Sequence, residues 1–142
     1  MNLIKFFFTF LIFSFLSCSD SNKYLIKSPD EKVKLTFKVE DGKAFYKVDK
    51  LNRSVTNLSR LGMVLGDGKD LGEGLKVYKT SKKKISNKWF PIIGEKTEVN
   101  DNYTKLSISL VKESTKYDII FRVYDDGIAF KYTIPNQNSI KN

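Results

Sequence analysis

The sequence predicts an all-β fold, an antiparallel β-sandwich, and three observations carry that prediction. Side chains alternate along separate runs: Val33, Leu35, Phe37 and Val39 make one face against Lys34, Thr36, Lys38 and Glu40. Tyr117, Ile119, Phe121 and Val123 do the same against Asp118, Ile120, Arg122 and Tyr124, which is the period of a pleated strand. Asp41-Gly42 and Asp125-Asp126-Gly127 are hairpin signals, with glycine where a short loop calls for positive φ. Beyond the N-terminal segment, no long stretch carries apolar groups at i, i+3, i+4 and i+7.

The N-terminal segment stands apart. Lys5 precedes an apolar run from Phe6 to Ser17, and Cys18 follows as the only cysteine. About a dozen apolar residues are too few for roughly 30 Å of hydrocarbon and suit a signal-peptide core. Ser17 before Cys18 resembles a bacterial lipobox, in which cleavage precedes a cysteine that is then acylated. Residues 1–17 are therefore expected to be a lipoprotein signal peptide, Cys18 the lipid attachment, and residues 18–23 a polar tether. An ordinary secretory signal with an incidental cysteine is the alternative. Either way export is expected, with the lipoprotein form anchored to a membrane facing the periplasm or the cell surface.

The sandwich is expected over residues 24–135. Tyr24–Lys27 reads as a short strand stopped by Ser28-Pro29-Asp30, and Val33–Glu40 follows as the first long one. After Asp41-Gly42 the chain returns through Ala44, Tyr46 and Val48, and Asn52-Arg53 turns it again. Leu61–Leu65 is predicted as a further strand. Gly66–Gly74 holds four of the eight glycines and reads as a solvated loop. It departs from G-x-G-x-x-G at Leu71 and does not keep calcium-loop spacing. Leu75–Tyr78 starts a strand that runs into Lys82–Ile85, and Trp89–Glu95 should interrupt it as an ordered loop or bulge. A short strand at Thr97–Val99, a turn at Asn100-Asp101-Asn102 and a long strand through Leu106, Ile108 and Leu110 come next. Ser114-Thr115 breaks that strand before the closing hairpin, where Ile128, Phe130, Tyr132 and Ile134 supply the last apolar face. Residues 136–142 look like a polar tail or linker.

Composition narrows the chemistry. With 142 residues, 41% of them hydrophobic, one packed domain is expected. One cysteine permits no internal disulfide. No histidine is present, so Ser-His-Asp or Cys-His catalysis within the chain is excluded and the usual nitrogen ligand for zinc or copper is missing. The formal charge of +9 comes from lysines spread along outward strand faces, which keep sheet edges soluble. The single cluster, Lys82-Lys83-Lys84, has no interleaved aromatics, so no nucleic-acid partner is expected.

Trp89 is the only tryptophan, with Glu95 six residues on. An indole stacks on the apolar face of a sugar ring, and a carboxylate accepts from its hydroxyls, so the pair is the candidate carbohydrate site. The plainer alternative has Trp89 and Phe90 plugging one end of the sandwich. Glycoside hydrolysis needs two carboxyl groups roughly 5–9.5 Å apart across a bond. Asp125/Asp126 and Asp67/Asp70/Glu73 are the acidic clusters, and both sit where turns favour aspartate. No catalytic residue and no metal site are expected.

Several motifs occur in a recognisable order: Ser28-Pro29-Asp30, Ser59-Arg60-Leu61-Gly62, Asp70-Leu71-Gly72, Trp89-x-Pro91-x-x-Gly94-Glu95 and the run Phe121–Phe130. Together they resemble the beginning of the N-terminal domain of glycoside hydrolase family 97, best known from Bacteroidetes α-glucosidases. The resemblance spans roughly Leu25 to Pro135. It implies a galactose-mutarotase-like supersandwich, here incomplete, that packs on a downstream (β/α)8 catalytic barrel. It also implies a family of inverting α-glucosidases and retaining α-galactosidases that use calcium. Their barrel carboxylates and the calcium-ligand glutamate are expected beyond Asn142. The expected role is thus a non-catalytic, carbohydrate-binding or scaffolding domain touching α-glucan or α-galactoside, with no cofactor in this chain. Protein–protein adhesion by a free-standing lipoprotein is the alternative.

Overall fold

A computed structural model describes residues 22–92 and 98–139. The expected signal peptide, Cys18 and Glu95 lie outside the described residues. Nine strands, and no helix, make up the regular structure of the described residues. They are β1 (Asn22–Lys27), β2 (Val33–Glu40), β3 (Lys43–Lys50), β4 (Arg53–Ser54), β5 (Ser59–Leu61), β6 (Lys76–Trp89), β7 (Val99–Lys112), β8 (Thr115–Val123) and β9 (Ile128–Thr133).

The first sheet runs β1-β2-β3, with β4 and β5 pairing successive stretches of the far side of β3; the second runs β6-β7-β8-β9. All neighbours are antiparallel. In β2 and β8 every second residue is buried, and those faces meet. Phe37 and Phe121 are fully buried with ring centroids 5.9 Å apart. Around them, Leu35, Val39 and Val48 of the first sheet and Leu106, Ile108, Leu110 and Ile119 of the second complete one continuous core. β1 lies over β7 and β2 over β8, while Tyr46 of β3 reaches Phe130 of β9 at 5.7 Å. This is the antiparallel sandwich that the alternation predicts, with the sheets stacked so that apolar faces exclude water from both sides.

The β2–β3 turn matches its sequence signal: Asp41 and Gly42 both take positive φ, at 50° and 70°. The β8–β9 turn does not. Gly127 is not among the positive-φ residues, and a wider loop is closed instead by Tyr124 N–H donating to Gly127 O at 2.8 Å. Leu61–Leu65 is not a strand either; β5 stops at Leu61, and beyond it only an isolated Val64–Asp70 bridge continues. The cause is Gly62, where a Cβ would lie 2.9 Å from Gly72 Cα, so two backbone segments touch where a strand would need side chains.

The expected turn at Asn100–Asn102 lies instead inside β7, paired with Lys88, Asn87 and Ser86. Ser86 Oγ donates to Asn102 Oδ1 at 2.9 Å, so these polar residues pair across strands that water reaches on both faces. Trp89 is the last residue of β6, opposite Val99, and not part of an interrupting loop. Thr115 already belongs to β8; the break is Glu113-Ser114, with Glu113 at φ 54°. On β9 the last apolar face is only half covered, since Phe130 is 40% exposed although it packs 5.5 Å from Phe121. The start of the tail is docked: the Gln137 amide accepts from Lys116 N–H at 2.9 Å and donates to Lys116 O at 2.6 Å, imitating a strand neighbour.

Candidate functional site

One end of the sandwich is closed by the turns after β1 and β8. Ser28 Oγ donates to Asp30 Oδ1 at 2.6 Å and accepts from Val33 N–H at 3.0 Å. Asp30 N–H donates across the two sheets to Asp125 Oδ1 at 2.9 Å. Two motifs far apart in the chain thus clamp one sheet to the other. The Ser28 hydroxyl, then the Lys32 N–H, hold the Asp30 carboxyl well below the usual carboxylate range. A depressed carboxyl stabilises the fold above its unfolded value and loses that contribution as pH falls. Replacing Asp30 with Asn is therefore expected to lower the urea midpoint at pH 7, the gap from wild type closing below about pH 4. A gap unchanged down to pH 2 would show that the ionised carboxylate is not what the clamp uses.

Past this end, β6 and β7 continue alone as a two-stranded arm. Thr104 is the last β7 residue paired with both Lys84 and Val123, so Ile85–Trp89 and Val99–Tyr103 extend beyond the second sheet. Five residues of strand reach roughly 15 Å. The root of the arm is braced on the outer face: Tyr103 and Tyr124 stack at 5.1 Å, and the Arg122 guanidinium sits 4.7 Å from the Tyr103 ring. Tyr124 OH donates to Asp101 Oδ1 at 3.3 Å. These four residues were not legible as a unit, although Arg122 on β8 and Tyr124 just past its end, two residues apart, share the outward side that carries the brace.

The structure places Trp89 at the tip of this arm, 52% exposed, beside Phe90 and a fully exposed Ile92. It does not plug the sandwich. The neighbouring Lys88 and Glu98 pair at 2.7 Å across the arm. Trp89 is therefore a half-exposed aromatic at a strand end, with Glu98, just before β7, engaged by Lys88; Glu95 falls outside the described residues.

The opposite end is closed by the 66–74 loop, which is an ordered lid. Leu71 is fully buried, its N–H donates to Met63 O at 2.7 Å, and its carbonyl accepts from Tyr117 OH at 2.8 Å. Burial pushes the Tyr117 phenol well above its ordinary range, so it stays a donor. The acidic clusters are consumed locally. Asp67 Oδ1 accepts from Lys69 N–H at 3.0 Å, Asp70 Oδ1 from Gly72 N–H at 2.6 Å, and Glu73 Oε1 from Arg60 Nη2 at 2.9 Å. Asp125 holds the inter-sheet clamp. Among the described residues no three His, Cys, Asp or Glu side chains converge.

Comparison with known proteins agrees with this architecture. The profile of the family described as Glycosyl-hydrolase 97 N-terminal matches residues 26–142. A retaining alpha-galactosidase of Bacteroides thetaiotaomicron is 26% identical over 117 residues, covering 82% of this chain and 17% of that protein. A family 97 enzyme of Pseudoalteromonas sp. strain K8, solved with acarbose, superposes with a TM-score of 0.75 at 24% identity, over 81% of this chain and 18% of its own. A beta-arabinopyranosidase gives 0.74 at 31% identity, over 82% and 19%. The chain spans less than a fifth of the length of these relatives. With the motifs of the clamp, the lid and the closing hairpin all inside the matched region, the chain belongs to the glycosyl-hydrolase 97 N-terminal family.

Proposed function

We propose that the chain is a non-catalytic scaffold of a family 97 glycoside hydrolase, made to pack on a downstream (β/α)8 barrel, and that Trp89 is its contact with glycan. The substrate class is α-glucan or α-galactoside. The observation that carries the glycan contact is Trp89 itself, half exposed at the end of a braced strand where its ring lies open to a partner. Aromatic faces of this kind take sugar rings by stacking, and with the backbone already paired only the two indole torsions need ordering on binding. Support for the scaffold comes from the acidic groups, which are engaged in turns, and from the retaining alpha-galactosidase, of which this chain matches a minor part.

Titration calorimetry with malto-oligosaccharides and with α-galactosides tests the contact. Trp89→Ala is expected to weaken binding at least tenfold while leaving the melting temperature within about 2 °C, because exposed positions contribute little to stability. Absence of binding by both proteins would remove the glycan contact and favour protein–protein adhesion through the same apolar tip.

Export and anchoring through Cys18 belong to the same proposal, supported by the apolar run ending at Ser17. Metabolic labelling with a radioactive fatty acid is expected to mark the wild-type chain and not Cys18→Ala; equal labelling of both would sink the anchor.

A further inference from the structure

The edge of the sandwich holds a depression that the glycan reading does not use. The first sheet ends at β1, which lies over β7, and among the described residues no strand packs closely over the inward face of β6. Lys82 and Lys84 stand on that face: two residues apart, they pair across the strands with Leu106 and Thr104, whose side chains point into the sandwich. A depression of about 280 Å³ opens there, lined by Leu25, Lys27, Ser28, Glu31, Lys82, Lys84 and Thr104.

Three features distinguish it from an ordinary basic surface. Thr104 is fully buried, and its Oγ1 is a buried hydroxyl without a hydrogen-bond partner among the described residues. Buried hydroxyls are nearly always satisfied, so an orphan bordering a depression marks a place where a ligand atom fits. Neither Lys82 nor Lys84 forms an ion pair among the described residues. The single carboxylate on the rim, Glu31, is already engaged by Lys27 at 2.9 Å. The fields of Lys84 and Lys82 nonetheless reach it, adding to the fall in its pKa that Lys27 chiefly causes. The depression is therefore positive, walled on one side by Leu25 and bordered by one buried hydroxyl without a partner among the described residues.

We propose that it binds a sulfate- or phosphate-type oxyanion, with the Lys82 and Lys84 ammonium groups neutralising the charge and the Thr104 hydroxyl donating to one oxygen. A tetrahedral anion suits this set because its oxygens diverge, so two cations on one strand and a hydroxyl on the next are engaged together. Such a group is available either as a substituent on a glycan or as the free ion. The site is separate from Trp89 and does not rest on the glycan contact proposed there.

The test is a titration of the full chain, followed by amide NMR shifts, with sodium sulfate, inorganic phosphate, sulfated dextran oligosaccharides and neutral dextran. Ionic strength is held constant with sodium chloride. Saturable shifts at Thr104 and Lys84 with sulfate or phosphate are expected, weakened at least tenfold in a Lys82→Ser/Lys84→Ser double variant. Thr104→Val keeps the side-chain shape and is expected to melt no lower than wild type while binding at least threefold more weakly. Sulfated dextran binding tenfold more tightly than free sulfate would support the site and identify a glycan substituent as its ligand. Equal affinity would support it with the free ion. Shifts no larger than chloride alone produces would overturn the site. So would undiminished binding by the double variant or by Thr104→Val, since a diffuse basic field would then account for the effect.

Discussion

Phe121→Ala is expected to remove about 3–5 kcal/mol of stability, the range for deleting a buried aromatic from a packed core. Phe121 lies at the centre of the sandwich, fully buried, and meets rings from three strands: Phe37 at 5.9 Å, Tyr46 at 6.3 Å and Phe130 at 5.5 Å. Those partners come from both sheets, so truncation leaves a cavity between two paired sheets, open to adjustment only on the Phe130 side. Domains of this size hold only about 5–15 kcal/mol in total, which makes the loss a large fraction of what keeps the chain folded. Urea denaturation should show a much lower midpoint with the slope unchanged, and the melting temperature should fall by more than about 10 °C. A loss below about 1 kcal/mol would mean that the two sheets are not held together through this contact.

Leu71→Ala is the second large effect, about 2–5 kcal/mol by the same reasoning. Its signature should differ. Leu71 lies on a loop, not in either sheet, and fills the end of the core while its N–H and carbonyl are tied to Met63 and Tyr117. Removing the side chain takes away what seats the lid, so the segment between Gly66 and Gly74 should become cleavable by protease before the sheets unfold. Hydrogen exchange at the Leu71 amide should accelerate with it. If exchange there follows global unfolding in both wild type and variant, the lid is part of the core and not a separate unit.

How far the sequence alone reached depends on how local the physics was. The strands β2, β3 and β8 were legible because burial on one face writes a period of two into the side chains, and nothing distant alters it. The tips of β6 and β7 were not. Water reaches both faces of that arm, so Asn100, Asp101 and Asn102 carry no alternation and read as a turn. The end of β5 was hidden for a different reason. Gly62 is next to Gly72 only in space, and the contact that stops the strand crosses nine intervening residues. For Trp89 the sequence left open a plug or an exposed position, and that choice required the register with Val99. The pairing of Asp30 with Asp125 was beyond reach as well, since each looked like a turn residue satisfied at home. Thr104 gave no signal at all: a threonine within a strand is ordinary, and only its burial without a partner makes it notable.

The division of the chain between the sheets has a consequence for how the molecule comes into being. Every strand of the first sheet lies before Gly62 and every strand of the second after Leu75, so neither borrows from the other's half. During synthesis the earlier half emerges with Leu35, Phe37 and Val39 wet on one side, and nothing dries them until β8 arrives some eighty residues after β2 has begun. Closure of that long loop precedes its reward, so docking of the two halves is the expected slow step in folding of this domain.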